Sequence, residues 1–460
     1  MAWDESSWLT LSRRQGETLR RALERTLRDA IVAGALREGT RLPSSRVLAR
    51  MLGVSRGVAT DAYGQLEAQG FLVINARSAP IVAAAGPAPT PARRERPPEV
   101  EEPRFDLTPT TPDVTLFPLR RWLRATERVA RNLEYAKLDY REPRGEPALR
   151  EALADHLGRT RGVIAAPNRI IVVQGTAQGV DVLLRALARR GVARVAVEDP
   201  SHTTQHERIR GLGLEIVPQP VDGDGLVVEG LQADAVLVTP AHQFPTGAVL
   251  SGSRRRALLG WTRRSGGLVV EDDYDSEFRY DREPVRALQG LAPTKVVYLG
   301  TASKTLAPAL RLGWIVAPDD LIDELERVKR LADDFSPVLD QLTLAQLLTS
   351  GDYARHLRRT RAAYQVRRDR LVAALARELP DLTVEGIAAG VHVVLRLPPG
   401  CDDAGVARAA RAARIQVPPL SAFRIVARGA GGLVVGYGRL HEAAVERAVR
   451  ALSRIVRDHV

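Results

Sequence analysis

A lysine near the middle of the chain, placed just after an apolar segment, could carry covalent chemistry. In KVVYLGTASKTLAPALRLGW, the apolar run ends before Thr301, Ser303 and Lys304, and Arg311 follows in the same loop. A lysine amine can form a Schiff base with an aldehyde, while hydroxyl and guanidinium groups bind phosphate. This segment therefore predicts an amine nucleophile beside an anion site.

Few other positions of the chain offer a primary amine. The sequence contains four lysines, and three of them lie on polar or charged stretches or before a strand: Lys137, Lys295 and Lys329. Such lysines are usually solvated charges, so we expect these three at the surface. Lys304 is the candidate for Schiff-base chemistry.

A second segment predicts a site for an anion. IIVVQGTAQGVDVLLRALA reads as a buried strand, a glycine-containing loop and a helix. The main-chain amides of Gly175, Thr176, Ala177 and Gln178 would then lie at a helix N-terminus, which favours negative charge.

A third segment, GLVVEDDYDSEFRY, places Asp272, Asp273 and Tyr274 at the end of an apolar strand. Clustered carboxylates need a cationic partner. A metal ion is one possibility, but no His or Cys set with ligand spacing accompanies them, so a protonated heterocyclic nitrogen is the better partner. Pyridoxal phosphate unites an anion loop, an aspartate facing a pyridine nitrogen and a Schiff-base lysine.

Strands and helices must alternate to bring these segments together. Strand-like runs begin near residues 170, 195, 235, 267, 295 and 313, with helical stretches between them. This alternation predicts an α/β domain with a mostly parallel sheet, whose carboxyl edge binds ligands. Beyond about Gln341, Arg-rich helices, VHVVLRL and GLVVGYG predict a smaller C-terminal α+β subdomain.

The first eighty residues have a different pattern. Leu19, Leu23 and Leu27 recur at helical spacing, and TRLPSSRVLARMLGVSRGVATDAYGQLEAQGFL predicts two helices joined by a turn at Gly53, with Ser55 as N-cap of the second. On the second helix, Ala59, Tyr63 and Leu66 would be buried, and Arg56, Thr60 and Asp61 would face outward. Residues 71–82 would form a short hairpin. This is the pattern of a winged helix-turn-helix.

Length and composition fit several domains. The chain has 460 residues, 45% of them hydrophobic, which excludes a disordered or fibrous protein and favours two or three domains. We place a DNA-binding domain at 12–82, a Pro- and charge-rich linker at 83–104 and the larger domain at 105–460. The net charge of +12 points toward an anionic partner, nucleic acid before membrane.

The cellular compartment follows from what the sequence lacks. Cys401 is the single cysteine, so no disulfide can form within the chain. Neither a leader-like start nor an apolar run long enough to cross a bilayer is present. We expect a cytoplasmic protein with no membrane partner.

Two resemblances sharpen this interpretation. LPSSRVLARMLGVSR with AYGQLEAQGFL resembles the winged helix-turn-helix of the GntR regulators. DYREPRGEPALREALADHL, VEDPSH, TPAHQFPTG, EDDYDSEFRY and TASKTLAPALRLGW resemble, in order and spacing, the fold type I aminotransferase-like domain of the MocR-type (GabR-like) branch of that family. Together they imply a transcriptional regulator that binds operator DNA and pyridoxal 5'-phosphate, works as a homodimer and responds to a small-molecule effector.

The resemblance assigns roles to residues of this sequence. Lys304 would form the Schiff base, Asp272 would partner the pyridine nitrogen and Tyr274 the phenolic oxygen of the ring. The phosphate would be held by Ala177, Gln178, Thr301 and Arg311. Tyr140 would reach the phosphate of the neighbouring subunit. DNA would be contacted by Ser45, Arg46, Ser55 and Arg56, and by Arg77 in the wing.

Three positions depart from the amino-acid-processing relatives. His202 stands where an aromatic residue, usually tyrosine, stacks on the cofactor ring, and Phe244 replaces an asparagine before Pro-Thr-Gly. Val434 stands where an arginine clamps the substrate carboxylate; Arg424 or Arg439 could replace that function. Without such a clamp, a substrate loses positioning that turnover requires.

Three hypotheses remain open at this stage. The first is a regulator whose cofactor domain senses an amino compound or the cofactor itself. The second is a working aminotransferase with an appended helix-turn-helix unit. The third, a dimerisation scaffold without cofactor, is disfavoured because Lys304 and Asp272 are both present.

Overall fold

The computed structural model of the chain describes residues 11–75, 78–83, 102–280, 285–426 and 429–460. These form two compact units, Met1–Glu101 and Glu102–Val460. Arg77 and most of the predicted linker, residues 84–101, lie outside the described residues.

The N-terminal unit is a three-helix fold with a short hairpin: α1 (Leu19–Val32), α2 (Ser45–Leu52), α3 (Arg56–Ala68), β1 (Leu72–Val73) and β2 (Ile81–Val82). Thr18, Ser44 and Ser55 cap the three helices, each by accepting a main-chain N–H. Gly53 has φ 64, the left-handed conformation that lets the chain turn between α2 and α3. The predicted helix-turn-helix is confirmed.

The core of this unit joins all three helices to the hairpin. Its fully buried side chains include Leu27, Leu48, Leu66 and Val82. Tyr63 also packs here, and its hydroxyl donates to the Pro43 carbonyl at 2.8 Å, so α3 is tied to the entry of α2. The second helix of the motif is thereby held rigidly with its opposite face exposed.

The larger unit contains ten longer helices and thirteen strands among the described residues. The helices are α4 (Leu119–Arg131), α5 (Pro147–Arg161), α6 (Gly175–Arg189), α7 (Thr203–Gly211), α8 (Gly252–Ser265), α9 (Asp319–Asp333), α10 (Val338–Thr349), α11 (Asp352–Glu378), α12 (Asp403–Ala412) and α13 (Val445–Arg457). The strands are β3 (Phe105–Asp106), β4 (Ile170–Val173), β5 (Arg194–Asp199), β6 (Glu215–Asp222), β7 (Gly225–Leu226), β8 (Ala235–Val238), β9 (Leu268–Asp273), β10 (Val296–Thr301), β11 (Gly313–Val316), β12 (Val384–Glu385), β13 (His392–Arg396), β14 (Ile415–Gln416) and β15 (Gly432–Gly436).

An eight-stranded sheet forms the centre of this unit, in the order β4-β11-β10-β9-β8-β5-β6-β7. The run from β10 to β6 is parallel, whereas β11 is antiparallel to both of its neighbours and β7 is antiparallel to β6. The predicted mostly parallel sheet is confirmed. Sequence patterning missed β6, because Pro218 and Pro220 interrupt its apolar run.

A smaller subdomain closes the chain, as predicted. Its three-stranded sheet has the order β12-β13-β15, and α11, α12 and α13 pack on it through a separate apolar core. The short β3 pairs in parallel with β14, so the start of this unit is built into its C-terminal part. No helix in the described part of the chain is long and apolar enough to span a bilayer.

Candidate functional site

A cavity of about 300 Å³ opens at the carboxyl edge of the large sheet, beside the N-terminus of α6. Strands β5, β8, β9 and β10 contribute the residues at its floor, which is where an open α/β sheet binds ligands. Seven of the nine residues predicted to bind the cofactor line it: Ala177, His202, Asp272, Tyr274, Thr301, Lys304 and Arg311.

Lys304 lies in the loop after β10 and faces this cavity. Burial lowers the pKa of its amine, and the nearby carboxyl groups of Asp275 and Asp272 offset only part of that shift. A lowered pKa increases the fraction of neutral amine, the form that attacks an aldehyde.

Asp272 presents two unequal oxygens. Oδ2 accepts a hydrogen bond from Gln205 Nε2 at 3.1 Å, while Oδ1 is buried with no hydrogen-bond partner among the described residues. Burial raises the pKa of this carboxyl group to about 7, although Gln205 and Lys304 act in the opposite direction. A cationic N–H facing Oδ1 would supply the missing donor and favour the carboxylate.

The predicted carboxylate cluster divides into two environments. Asp273 pairs with Arg161 at 2.7 Å, with both side chains 1% exposed, and it accepts the Tyr298 hydroxyl at 2.7 Å. Successive residues of a strand point to opposite faces, so Asp273 faces away from Asp272. A protein cation thus neutralises Asp273, and Asp272 is the one available to a ligand.

Tyr274 belongs to a buried polar group that the sequence did not reveal. Its hydroxyl lies 3.2 Å from His242 Nδ1, which lies 2.8 Å from Asp275 Oδ2. His392 stands beside His242, with ring centroids 5.0 Å apart. Ligand-type atoms of His242, Asp275 and His392 all lie within 4.8 Å of one another, a set that could hold a metal ion. These three residues are far apart in the sequence, so no short motif could reveal that they meet.

The phosphate-binding end is formed by the first turn of α6 and the loop after β10. Gly175, the first residue of α6, has φ 77, and a Cβ there would lie 3.1 Å from Arg311 Nη1. Arg311 itself has φ 52, and its Nη2 donates to the Gln174 carbonyl at 2.5 Å. Thr301 and Ser303 add hydroxyl groups that bond each other at 3.0 Å.

Two predicted phosphate contacts lie elsewhere. The Gln178 side chain turns toward α9, donating to Asp333 at 2.8 Å and accepting from the Gln174 N–H at 2.7 Å, so only its main-chain amide belongs to the α6 N-terminus. Tyr140 is 86% exposed, with its ring 6.1 Å from that of Phe335. Its reach to a neighbouring subunit stays a prediction.

Sequence reasoning missed several polar residues that line the cavity, among them Glu198, Gln205 and Arg208. Gln205 and Arg208 lie one turn apart on α7, which begins directly after His202. Residues at this spacing share one face of a helix, so the sequence could have placed both on the same side as His202. Glu198 accepts from the Thr239 hydroxyl at 2.6 Å, and burial raises the pKa of its carboxyl group to about 7.

Of the three positions that depart from the amino-acid-processing relatives, His202 and Phe244 line the cavity. The rings of His202 and Phe244 lie 5.6 Å apart. Val434 is fully buried and packs with Val394 and Leu420. The lining described for this cavity contains neither proposed replacement for the arginine clamp: Arg439 instead pairs with Asp106 at 2.8 Å, and Arg424 bonds the Ala430 carbonyl.

The predicted DNA-contacting residues cluster at two helix starts. Arg46 and Arg56 are exposed at the N-termini of α2 and α3. Ser45 is the half-exposed first residue of α2, and the exposed Ser55 caps α3 by accepting from the Val58 N–H at 3.3 Å. These positions suit phosphate and base-edge contacts in a major groove. Arg77 falls outside the described residues, so its contact stays a prediction.

Comparisons with known proteins agree with both units. Residues 19–82 match the family of bacterial regulatory proteins named gntR, and residues 110–452 match the class I and II aminotransferases. The chain is 33% identical to the probable rhizopine catabolism regulatory protein MocR of Rhizobium meliloti, covering 96% of this chain and 95% of that protein. It is also 33% identical to the pyridoxine biosynthesis transcriptional regulator PdxR of Corynebacterium glutamicum, covering 94% and 95%.

Among solved structures, an archaeal alanine:glyoxylate aminotransferase shares the fold. The TM-score is 0.72 at 24% identity, and the match covers 77% of this chain and 91% of the other. An aminotransferase class I and II domain implies dependence on pyridoxal phosphate. Three features fit that cofactor: the amine of Lys304, the glycine at the start of α6, and Asp272 Oδ1, for which the described residues supply no hydrogen-bond donor.

Helix-turn-helix domains of the GntR type bind DNA. With both domains matched and with relatives aligned over nearly its full length, this chain belongs to the MocR-type branch of the GntR family of transcriptional regulators, in which an aminotransferase-like domain follows the DNA-binding domain.

Proposed function

We propose that this regulator binds pyridoxal 5'-phosphate in the cavity of its larger unit and uses that site to control operator binding by its helix-turn-helix. The observation that carries the proposal is the buried Asp272 Oδ1, which has no hydrogen-bond partner in the described part of the chain and lies in the same cavity as Lys304. Bound there, the cofactor would supply an aldehyde for amines and an electron-withdrawing ring.

Each of the residues that line the cavity would have its own role in binding the cofactor. Lys304 would hold the aldehyde carbon, and Asp272 would keep the ring nitrogen protonated. Tyr274 would donate its hydroxyl to the phenolic oxygen, with His202 against the ring. Arg311 and Thr301, with the first amides of α6, would bind the phosphate, and burial of the site would exclude water.

The effector is an amino compound or the cofactor itself. Val434 is buried in an apolar environment at the position where amino-acid-processing relatives carry an arginine. A substrate carboxylate would lack the arginine clamp of those relatives at this position, which favours control by cofactor supply. PdxR of Corynebacterium glutamicum, a regulator of pyridoxine biosynthesis by name, supports the same choice.

We also propose a homodimer that acts on chromosomal DNA in the cytoplasm. Several large apolar side chains of one segment are exposed in the single chain: Leu119, Leu123, Tyr135, Leu138 and Tyr140. Association of two copies would cover such a surface, and it would present two helix-turn-helix units to two operator half-sites. Sedimentation of the purified protein measures this state directly.

The test pairs DNA binding with cofactor absorbance in the full-length protein. We expect its own promoter fragment to be bound, more weakly at higher salt, and binding to change when pyridoxal phosphate is added. Arg56→Ala should abolish DNA binding and leave the visible absorbance of the bound cofactor unchanged. Arg28→Ala, an arginine on α1 that pairs with Glu24, is the matched control.

Loss of both properties in Arg56→Ala would contradict the separation of roles between the two units. A working aminotransferase is the alternative, and it would release keto acid steadily from an amino acid. The curated relatives are named as regulators, so the comparisons do not favour it.

A further inference from the structure

We propose that Lys329 and Asp333, outside the cavity, position its phosphate-binding end and so give the site its selectivity for a phosphorylated ligand. This inference rests on the proposed function, because it concerns the same cavity.

The first observation is a lysine that is fully buried. Lys329 is 0% exposed, and its Nζ donates to Asp333 Oδ1 at 2.7 Å and to Ser336 Oγ at 3.1 Å. The prediction of a solvated Lys329 was therefore wrong. Removing an ammonium group from water costs free energy unless an anion lies beside it, so the buried amine of Lys329 requires the carboxylate of Asp333 at this position.

The second observation is what the other oxygen of Asp333 binds. Asp333 Oδ2 accepts hydrogen bonds from Gln174 Nε2 at 2.9 Å and from Gln178 Nε2 at 2.8 Å. Gln174 is the N-cap of α6, and Gln178 lies in its first turn. Asp333 is the last residue of α9, so one carboxylate joins the end of α9 to the start of α6.

The third observation connects this junction to the cavity. Gln174 accepts from Arg311 Nη2 at 2.5 Å through its carbonyl, and its N–H donates to Gln178 Oε1 at 2.7 Å. The side-chain amide, the main-chain carbonyl and the main-chain N–H of Gln174 therefore each form a hydrogen bond. Arg311, which lines the cavity, is therefore hydrogen-bonded to Gln174, and Gln174 in turn is hydrogen-bonded to Asp333. The guanidinium group and the α6 amides are both phosphate donors, so their relative placement depends on the Lys329–Asp333 pair.

A purely structural role makes a different prediction. If the pair only attached α9 to the sheet, its loss would weaken binding of any ligand of the cavity alike. If it positions the phosphate donors, its loss would weaken pyridoxal phosphate and spare pyridoxal, which has the same ring and aldehyde but no phosphate.

The experiment measures the dissociation constants of pyridoxal phosphate and of pyridoxal by absorbance titration of the full-length protein. The variants are Lys329→Met and the milder Gln178→Met, which removes one contact to Asp333 at a half-buried position. Lys295→Met, a lysine outside this network, is the control. Thermal unfolding of each cofactor-free variant reports whether it folds.

We expect Lys329→Met to bind pyridoxal phosphate about tenfold more weakly, the size of effect that supporting residues of a bound group commonly have. Gln178→Met should show a smaller loss, and both variants should bind pyridoxal within about twofold of the unchanged protein. Equal losses for both ligands, or no loss in a folded Gln178→Met and Lys329→Met, would overturn the inference. Failure of the unchanged protein to bind pyridoxal phosphate would instead overturn the proposed function.

Discussion

The two ends of the cavity differ in how completely the chain satisfies its own polar groups. At the phosphate end, Gln174, Gln178 and Asp333 bond one another, and Arg311 is held by a carbonyl. At the opposite end, which would face the ring, Asp272 Oδ1 is buried without a hydrogen-bond partner among the described residues, and the same holds for Nε2 of His242, which contacts the lining residue Tyr274.

This difference shows which end is prepared by folding and which end needs a ligand. The hydrogen bonds of the phosphate end keep its donors in place in the protein alone. At the ring end, burial raises the pKa of Asp272 to about 7, so a cation that approaches would shift this carboxyl group further toward its carboxylate form. Substitutions at the two ends should therefore have different consequences.

The largest effect is expected for Lys304→Ala. Without the amine, the cofactor loses its covalent attachment, and we expect the visible absorbance of the bound form to disappear completely. Lys295→Ala is the matched control and should retain the absorbance. A Lys304→Ala protein that keeps the band would show that another amine carries the aldehyde.

Next in size is Asp272→Ala, which removes the partner of the ring nitrogen. Loss of a charge-assisted hydrogen bond costs about 1.5 to 3 kcal/mol, so the dissociation constant for pyridoxal phosphate should rise about tenfold to a hundredfold. Asp273→Ala is unsuitable as a control because it would leave Arg161 buried and unpaired. Pyridoxal should lose as much affinity as pyridoxal phosphate, in contrast to the variants at the phosphate end.

The raised pKa of Asp272 at the ring end should also make stability depend on pH. The pKa of Asp272 is about 7 in the folded protein and 3.8 in its ordinary state. Between these values the Asp272 carboxyl group keeps a proton in the folded protein that it has released in the unfolded chain, so its contribution to the free energy of unfolding falls as pH rises through this range.

We therefore expect the melting temperature of cofactor-free Asp272→Asn to increase relative to that of the unchanged protein as the pH rises from about 4 to about 7. The comparison isolates Asp272, because groups that act in the opposite direction, such as the buried His156 with its pKa lowered to about 4, are present in both proteins. Glu198 contributes in the same direction as Asp272, because burial raises the pKa of its carboxyl group to about 7. An unchanged pH dependence in Asp272→Asn would contradict the raised pKa.

The smallest effect is expected for Thr301→Val at the phosphate end. The single proton of the Thr301 hydroxyl already has acceptors in Ser303 Oγ at 3.0 Å and the Leu312 carbonyl at 3.2 Å, so a hydrogen bond to the phosphate would replace one within the protein and its net contribution would be small. Such a bond contributes about 1 kcal/mol, or about fivefold in the dissociation constant. If Thr301→Val weakened the binding of pyridoxal phosphate as much as Asp272→Ala does, the proposed difference between the two ends would be contradicted.

The sequence predicted the parts of this site that follow from local pattern. Lys304, Asp272 and Thr301 come directly after or at the ends of apolar strands, and the order of strands and helices brings such ends to one edge. The turn and the capped second helix of the helix-turn-helix were likewise predicted from Gly53 and Ser55.

Contacts between distant segments were beyond sequence reading. The pairing of Asp273 with Arg161, the burial of Lys329 and the meeting of His242 with His392 join residues whose separation carries no periodic signal. A charged helix such as α9 reads as solvated until its packing partner is known, which is why Lys329 was misjudged.

The separate core of the N-terminal unit has a practical consequence. Leu27, Leu48, Leu66 and Val82 bury one another without help from the rest of the chain. A fragment ending near residue 83 should consequently fold when expressed by itself, and its preferred base sequence could be selected from random oligonucleotides. Such a fragment would recognise its half-site with an affinity indifferent to vitamin B6.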